Sequence, residues 1–271
     1  MAEEGGSPGT PAELAVLDGE LKAAADSFIP ATDEGLLRGD GVFEVVRVYA
    51  GRPFALDEHL ERLQRSALNL RLDGAIVPEE LSEEAARLLE ARGAAFDGCL
   101  RIVVTRGGHR LLLTEPLPAG PERVRVGFVT YAPTRVLDGI KSLSYAGNML
   151  ASRLARERGF DEALLVTPHG RVLEAPTSSI FWVDGGRLYT PPLEEHILAS
   201  ITRRKLIELL EVEERPCPTE ELLDAGEAFL ASTTREVQSV AAIEERSFPE
   251  TGEVTRKAAA ALRAAIDAEL R

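Results

Sequence analysis

The sequence predicts an α+β protein in two parts, a small N-terminal α/β sandwich and a larger strand-rich C-terminal domain, and three observations lead there. In the first part, β-branched runs alternating every second residue flank two stretches of helical periodicity. In the second, short apolar runs separated by Gly- and Pro-centred turns predominate. Between them lies Pro116-Leu117-Pro118-Ala119-Gly120-Pro121, a dense cluster of residues that interrupt regular structure. The expected division is residues 1–116, a linker at 117–121, and residues 122–271. A chain of 271 residues with 44% apolar content can build a core in each part.

The opening Met1 to Thr10 is acidic and turn-rich, so it is expected to fray. Gly41 to Tyr49 alternates as a strand, Ala50-Gly51 turns it, and Arg52 to Leu56 returns as a hairpin partner. Asp57 is expected to cap a helix in which Leu60, Leu63, Ala67 and Leu70 share one face. A second helix runs from Pro78 to Arg92. Cys99 to Thr105 and Arg110 to Thr114 read as strands joined by a Gly107-Gly108-His109 turn.

Beyond the linker, Arg123 to Tyr131 reads as a strand and Ser144 to Arg158 as a helix closed by Gly159. Strands follow near Glu162 to Val166, Val172 to Glu174, Ser179 to Val183 and Arg187 to Thr190. Ser200 is placed to cap a helix over Ile201 to Glu211, and an Ala-rich helix spans Val254 to Leu270.

Charge and cysteine content narrow the function. A formal net charge of −14 without a basic run argues against nucleic acid or an anionic membrane surface as partner. Cys99 and Cys217 lack metal-ligand spacing and read as buried thiols of a reducing compartment, so no metal is expected. The opening residues lack the basic and apolar regions of a signal peptide, and no stretch approaches the roughly 18 apolar residues of a membrane span. A cytoplasmic protein is expected.

Two residues point to amine chemistry. Lys141 precedes a helix whose N-terminal dipole disfavours an ammonium, and a neutral amine is what carbonyl chemistry requires. Glu174 ends a strand before the small-residue turn Ala175-Pro176-Thr177-Ser178-Ser179. Lys141, Gly159-Phe160-Asp161-Glu162-Ala163, Glu174 and Ile180-Phe181 occur in the order of the class IV, or fold type IV, aminotransferases, and the segment closely resembles that family. The resemblance implies pyridoxal 5′-phosphate (PLP) as cofactor, a homodimer, and a small-molecule amino donor and keto acid acceptor as partners. It makes Lys141 the catalytic lysine and Glu174 the partner of the pyridine nitrogen, which a carboxylate keeps protonated.

Three further pieces match the family's phosphate ligands. Arg62, in Glu58-His59-Leu60-Glu61-Arg62-Leu63, offers a guanidinium fork suited to phosphate oxygens; a surface pair with Glu58 is the plainer alternative. In Ile197-Leu198-Ala199-Ser200-Ile201-Thr202-Arg203, Leu198 matches the residue against the cofactor ring, and Ile201 and Thr202 open a helix where an anion gains from free N–H groups. The hydroxyl run Ser232-Thr233-Thr234 resembles the second phosphate loop, with Ser232 and Thr233 as donors and Thr234 nearer the substrate. Tyr145 follows the lysine by four residues rather than five and reads as a core tyrosine.

Within the family, Gly39 to Tyr49 and the Lys141-Ser142-Leu143-Ser144 and Ser232-Thr233-Thr234 motifs look most like D-amino acid aminotransferases. That likeness implies D-amino acids as donors, with R-amines as further candidates. Two departures stand out: Phe43 replaces a substrate-binding tyrosine, and Thr105-Arg106-Gly107-Gly108-His109-Arg110 lacks the family's Arg-x-His carboxylate trap. Arg110 is the expected substitute, with Arg106 and His109 as alternatives. Aminodeoxychorismate lyase is similar in its Asp40-Gly41-Val42-Phe43 motif but differs at Glu44. Branched-chain aminotransferase is similar at Leu100-Arg101, with Cys99 in place of its tyrosine.

Overall fold

The computed structural model describes residues 13–72 and 76–271, and the expected fraying of the first ten residues lies outside them. Strands β1 (Leu14–Leu17) and β2 (Glu20–Ala23) open the chain, followed by the short helix α1 (Glu34–Arg38), β3 (Gly41–Tyr49) and β4 (Arg52–Pro53). Helices α2 (Leu56–Asn69) and α3 (Pro78–Arg92) precede β5 (Gly98–Thr105) and β6 (Arg110–Glu115). The six strands form one sheet in the order β2-β1-β6-β5-β3-β4, with antiparallel neighbours throughout.

Alternation along β3 turns Val42, Val46 and Val48 toward Leu60 and Leu63 of α2 and Leu81 and Leu88 of α3. Each fully buried aliphatic side chain in such a layer contributes about 1.5–3 kcal/mol.

The β1–β2 hairpin extends this sheet beyond the strands expected from Gly41 onward. Asp18 and Gly19 both have positive φ, 51° and 87°, as a two-residue hairpin turn requires. The return strand expected over Arg52 to Leu56 is only two residues long, because Phe54 and Ala55 leave the sheet for an apolar cluster with Phe181, Leu206 and Leu262 of the second half. The same packing displaces the expected cap. Ala55, left-handed at φ 55°, precedes α2 without a side-chain bond; its N–H donates to Glu269 Oε1 at 2.6 Å, and Asp57 lies inside the first turn.

The second half runs β7 (Val124–Thr130), α4 (Ala146–Glu157), β8 (Glu162–Val166), β9 (Arg171–Val172), β10 (Ser179–Asp184), β11 (Arg187–Thr190), α5 (Ile201–Leu209), β12 (Val212–Glu214) and β13 (Cys217–Pro218). It ends with α6 (Thr219–Asp224), β14 (Glu227–Ser232), β15 (Glu236–Ile243), β16 (Arg246–Ser247) and α7 (Glu253–Glu269). Its ten strands form a mixed sheet ordered β12-β11-β10-β14-β15-β7-β8-β9-β13, with β16 beside β15. Pairs β11–β12, β15–β7 and β7–β8 are parallel. Trp182, Leu230 and Val240 fill one face, while stacked Phe181 and Phe229 lie with Leu262 of α7 on another.

Backbone hydrogen bonds join the halves at one place that matters for chemistry. Phe43 N–H donates to the Lys141 carbonyl at 3.0 Å and Leu143 N–H to the Gly41 carbonyl at 2.9 Å, so residues 141–143 lie antiparallel along β3. Gly41 makes this approach possible: a Cβ there would come within 2.6 Å of both Leu143 Cδ1 and the Val104 carbonyl oxygen. Among the described residues, no helix is long and apolar enough to cross a membrane.

Candidate active site

A cavity of about 1230 Å³ opens between the two sheets, more than most small-molecule sites occupy. Lys141 reaches it from the segment pinned to β3; its backbone N–H donates to Ser66 Oγ on α2 at 3.2 Å. Its Nζ stands 4.5 Å from the centre of the Phe43 ring and 5.9 Å from that of Tyr145. Burial, followed by the nearby Arg62 charge, pushes the amine down to about 8.

Glu174 enters from the end of β9, where its carbonyl accepts Leu165 N–H at 2.9 Å and continues the ladder past Val172. Among the described residues one donor reaches its carboxylate, the backbone N–H of Leu198 at 3.1 Å. Burial outweighs that bond and pushes the carboxyl up to about 7.

Arg62 lines the cavity but turns its fork elsewhere. Its Nε and Nη2 donate to Glu44 at 2.6 and 2.8 Å, and its Nη1 to the Ala199 carbonyl at 3.1 Å. Glu44 is fully buried on the α2 side of β3 and also accepts from His59 at 2.7 Å; Arg62 and His59 overcome its burial and hold the carboxyl well below the usual range. Burial lowers the His59 pKa. The surface pair with Glu58 does not form, since Glu58 meets Arg204 and Lys205 instead.

At the other end of the cavity Ser200 caps α5, its hydroxyl accepting Arg203 N–H at 3.2 Å. That leaves the N–H groups of Ile201 and Thr202 without intrahelical acceptors. Both residues are buried, and their side chains lie behind the cavity lining, which Leu198, Ser200, Ser232, Thr233 and Thr234 form here.

Phe43 lines the cavity, edge-on to Tyr145 with ring centres 5.3 Å apart. Tyr145 is therefore a cavity residue rather than a core one, and its hydroxyl donates to the Pro176 carbonyl. Arg110 is the clearest displacement. It lies on the α3 side of the first sheet, 2.7 Å from Glu84 and 3.6 Å from Glu80, pairs that raise its pKa, and within this chain it does not border the cavity. Arg106 is held by Asp40 and the carbonyls of Leu70 and Arg71, and His109 by Asp18.

Arg101 of β5 instead lines the cavity. Its guanidinium is 5.7 Å from the Phe43 ring centre, and its Nε donates to Glu115 at 2.8 Å. Strand alternation carries the signal for it, because residues 99 and 101 share a face.

Comparison with known proteins places the chain in a family. The family model described as "Amino-transferase class IV" matches residues 41–243. The chain belongs to the class IV aminotransferases. It is 35% identical to a putative branched-chain-amino-acid aminotransferase of Methanocaldococcus jannaschii, covering 89% of this chain and 92% of that one. It is 32% identical to the D-alanine aminotransferase of Bacillus licheniformis, covering 94% and 97%. Its fold matches the PLP-bound form of a hypothetical aminotransferase from Mycobacterium tuberculosis with a TM-score of 0.86, at 26% identity over 94% and 99% of the two chains.

The residues of this class IV aminotransferase fit PLP. A depressed lysine suits its aldehyde, a carboxylate without a salt bridge among the described residues suits a pyridinium, and a helix N-terminus with hydroxyls suits a phosphate. The buried Ser178 and Ser179 hydroxyls, which also line the cavity, have no partner among the described residues and are free to bond a ligand.

Proposed function

We propose that this enzyme is a homodimeric transaminase that moves an amino group from a D-amino acid, and from R-amines at lower efficiency, to a 2-keto acid. The observation that supports it most is the placement of Lys141 and Glu174 in one cavity with their pKa values drawn toward each other, to about 8 and about 7. PLP, when bound, supplies a carbonyl that condenses with primary amines and a ring that accepts electrons.

The chain's own residues do the rest. Lys141 Nζ, easily made neutral, would be the group that holds the cofactor in the resting enzyme and, when free, the base that takes and returns the substrate α-proton. Glu174, fixed by the Leu198 N–H, would hold its charge against the pyridine nitrogen, and the Leu198 side chain would pack on the ring. Ser232, Thr233 and the α5 N-terminus with Ile201 and Thr202 would hold the phosphate, with Arg62 adding the Nη hydrogens that Glu44 and Ala199 leave uncommitted; Thr234 and Phe43 would face the substrate.

The substrate carboxylate is assigned to Arg101 in place of Arg110, because Arg101 is the arginine beside Phe43 in the cavity while Arg110 is spent on Glu84. Exposed Phe28, Leu36, Leu37 and Leu68 supply apolar surface for a second copy. The position of Arg101, similar to an arginine of branched-chain aminotransferases, favours branched-chain L-amino acid transamination as the second reading.

A donor panel of D- and L-amino acids and R- and S-amines, assayed with pyruvate and 2-oxoglutarate, tests the proposal. D-Alanine should exceed L-leucine, and Arg101→Met should raise KM for D-alanine about tenfold, roughly 1.4 kcal/mol, while Arg110→Met changes it less than about twofold. Preference for L-leucine would support the second reading. Pyruvate released from aminodeoxychorismate without an acceptor would identify a lyase.

A further inference from the structure

The connection between the two sheets is itself a wall of the active site. Pro116, Pro118, Ala119, Gly120 and Pro121 all border the cavity, and the three prolines restrict how this stretch bends. At its start, Glu115 is tied to Arg101. Along residues 116–121, one hydrogen bond is found among the described residues: Gln238 Nε2, on β15, donates to the Pro121 carbonyl at 2.5 Å.

Gln238 is oriented for that task from behind. Its Oε1 accepts from Arg235 Nη1 at 2.6 Å, and because a guanidinium has only donors, this contact turns the amide NH₂ toward Pro121. Arg235 is in turn anchored by Nη2 to Glu162 Oε2 at 2.6 Å. Glu162 is 3% exposed, and its other oxygen accepts from Ser152 Oγ at 2.7 Å and Ala163 N–H at 3.0 Å. A relay of polar contacts thus runs from the floor of β8, through the turn after Thr234, to the cavity wall.

We propose that Gln238, oriented by Arg235, is a positioning residue that pins the 116–121 stretch as the substrate-side wall and so sets the size of keto acid the enzyme accepts. This rests on the transaminase reading above. Released from Gln238, the wall loses its fixed carbonyl and gives way to larger side chains, while small acceptors lose part of their fit.

Two variants separate anchoring from folding. Gln238→Ala removes both contacts; Gln238→Glu still accepts from Arg235 but has no N–H for Pro121. In the PLP-loaded full chain, both should be cut by elastase within residues 116–121 at least about fivefold faster than wild type, a loss of protection that follows local opening, with thermal midpoints within about 2 °C of it. For both, the ratio of kcat/KM for phenylpyruvate to that for pyruvate should rise about fivefold, chiefly through KM. Unchanged cleavage would overturn the anchor, and faster cleavage with an unchanged acceptor ratio would overturn the control of size. If the wild type transaminates no acceptor, the transaminase reading fails, and cleavage still decides the anchor.

Discussion

Glu44, fully buried on the first sheet, and Glu174, half-buried at the end of β9 where it lines the cavity, are both carboxylates that desolvation pushes toward the neutral form, yet they are treated oppositely. Glu44 receives a bidentate guanidinium and an imidazole, and its pKa is driven down. Glu174 receives one backbone N–H, and its pKa is driven up to about 7. The first carboxylate is satisfied within the chain and welds α2 to β3. The second has no salt bridge among the described residues, Lys141, Arg203 and Arg62 acting on it only from farther off, and its cavity is the place where a ligand would bring a cation into contact. Burial alone would not tell a structural carboxylate from a functional one; its partners do.

The largest effect that would break this contrast is at the amine beside Glu174. Lys141→Ala should lower turnover at least about 10³-fold, some 4 kcal/mol of barrier. Borohydride reduction of the wild type followed by peptide mapping should find the cofactor on Lys141, and attachment at another lysine would contradict the assignment.

Next in size is Arg62→Ala, which strands the Glu44 charge. Breaking a buried pair from one side costs about 3–5 kcal/mol, measurable by urea unfolding, and PLP should also dissociate faster. The double variant Glu44→Gln/Arg62→Met should recover part of the stability but none of the cofactor retention. Recovery of both would remove Arg62 from the phosphate site.

Glu174→Gln should slow the half-reaction with D-alanine by about 10- to 100-fold, 1.4–2.7 kcal/mol, with a smaller change in PLP affinity. A rate within about threefold of wild type would make Glu174 structural.

The last effect, read only as a difference between two variants, is on the pH dependence of apoprotein stability. A carboxyl whose folded pKa is about 7, above its unfolded value near 4.5, binds more protons when folded, so it costs stability as pH rises from about 4.5 to 7. Lys141, folded pKa about 8 against 10.5 unfolded, costs most below 8, and that cost fades as pH rises toward 10.5. The stability of wild type relative to Glu174→Gln should therefore fall between pH 5 and 7, and a flat difference would contradict the raised carboxyl.

Much of this was legible in the sequence where local pattern and chemistry coincide. The alternation along β3 and the Ser200 cap needed no tertiary knowledge, while the family resemblance singled out Lys141, Glu174 and the hydroxyl run, which line one cavity. The misses share a cause. Asp57 was not the cap because Phe54 and Ala55 answer to a cluster more than a hundred residues away in sequence. Arg110 is outside this chain's cavity because Glu84 on α3 claims it, Arg101 is there beside Phe43 of the neighbouring β3, and Tyr145 is there because residues 141–143 lie along β3 just before it. Such pairings depend on which faces meet, and one-dimensional spacing does not encode that. The Asp18-Gly19 hairpin had a readable turn signal.

The central claim, that Glu174 is a carboxyl waiting for a cation, is tested most directly by infrared difference spectroscopy of the apoprotein and the PLP-loaded enzyme at pH 6. A protonated-carboxyl band absent from Glu174→Gln should be present in the apoprotein and disappear on loading, as the bound pyridinium draws the carboxyl into its ionised form. No such band in the apoprotein, or one that persists after loading, would contradict the account.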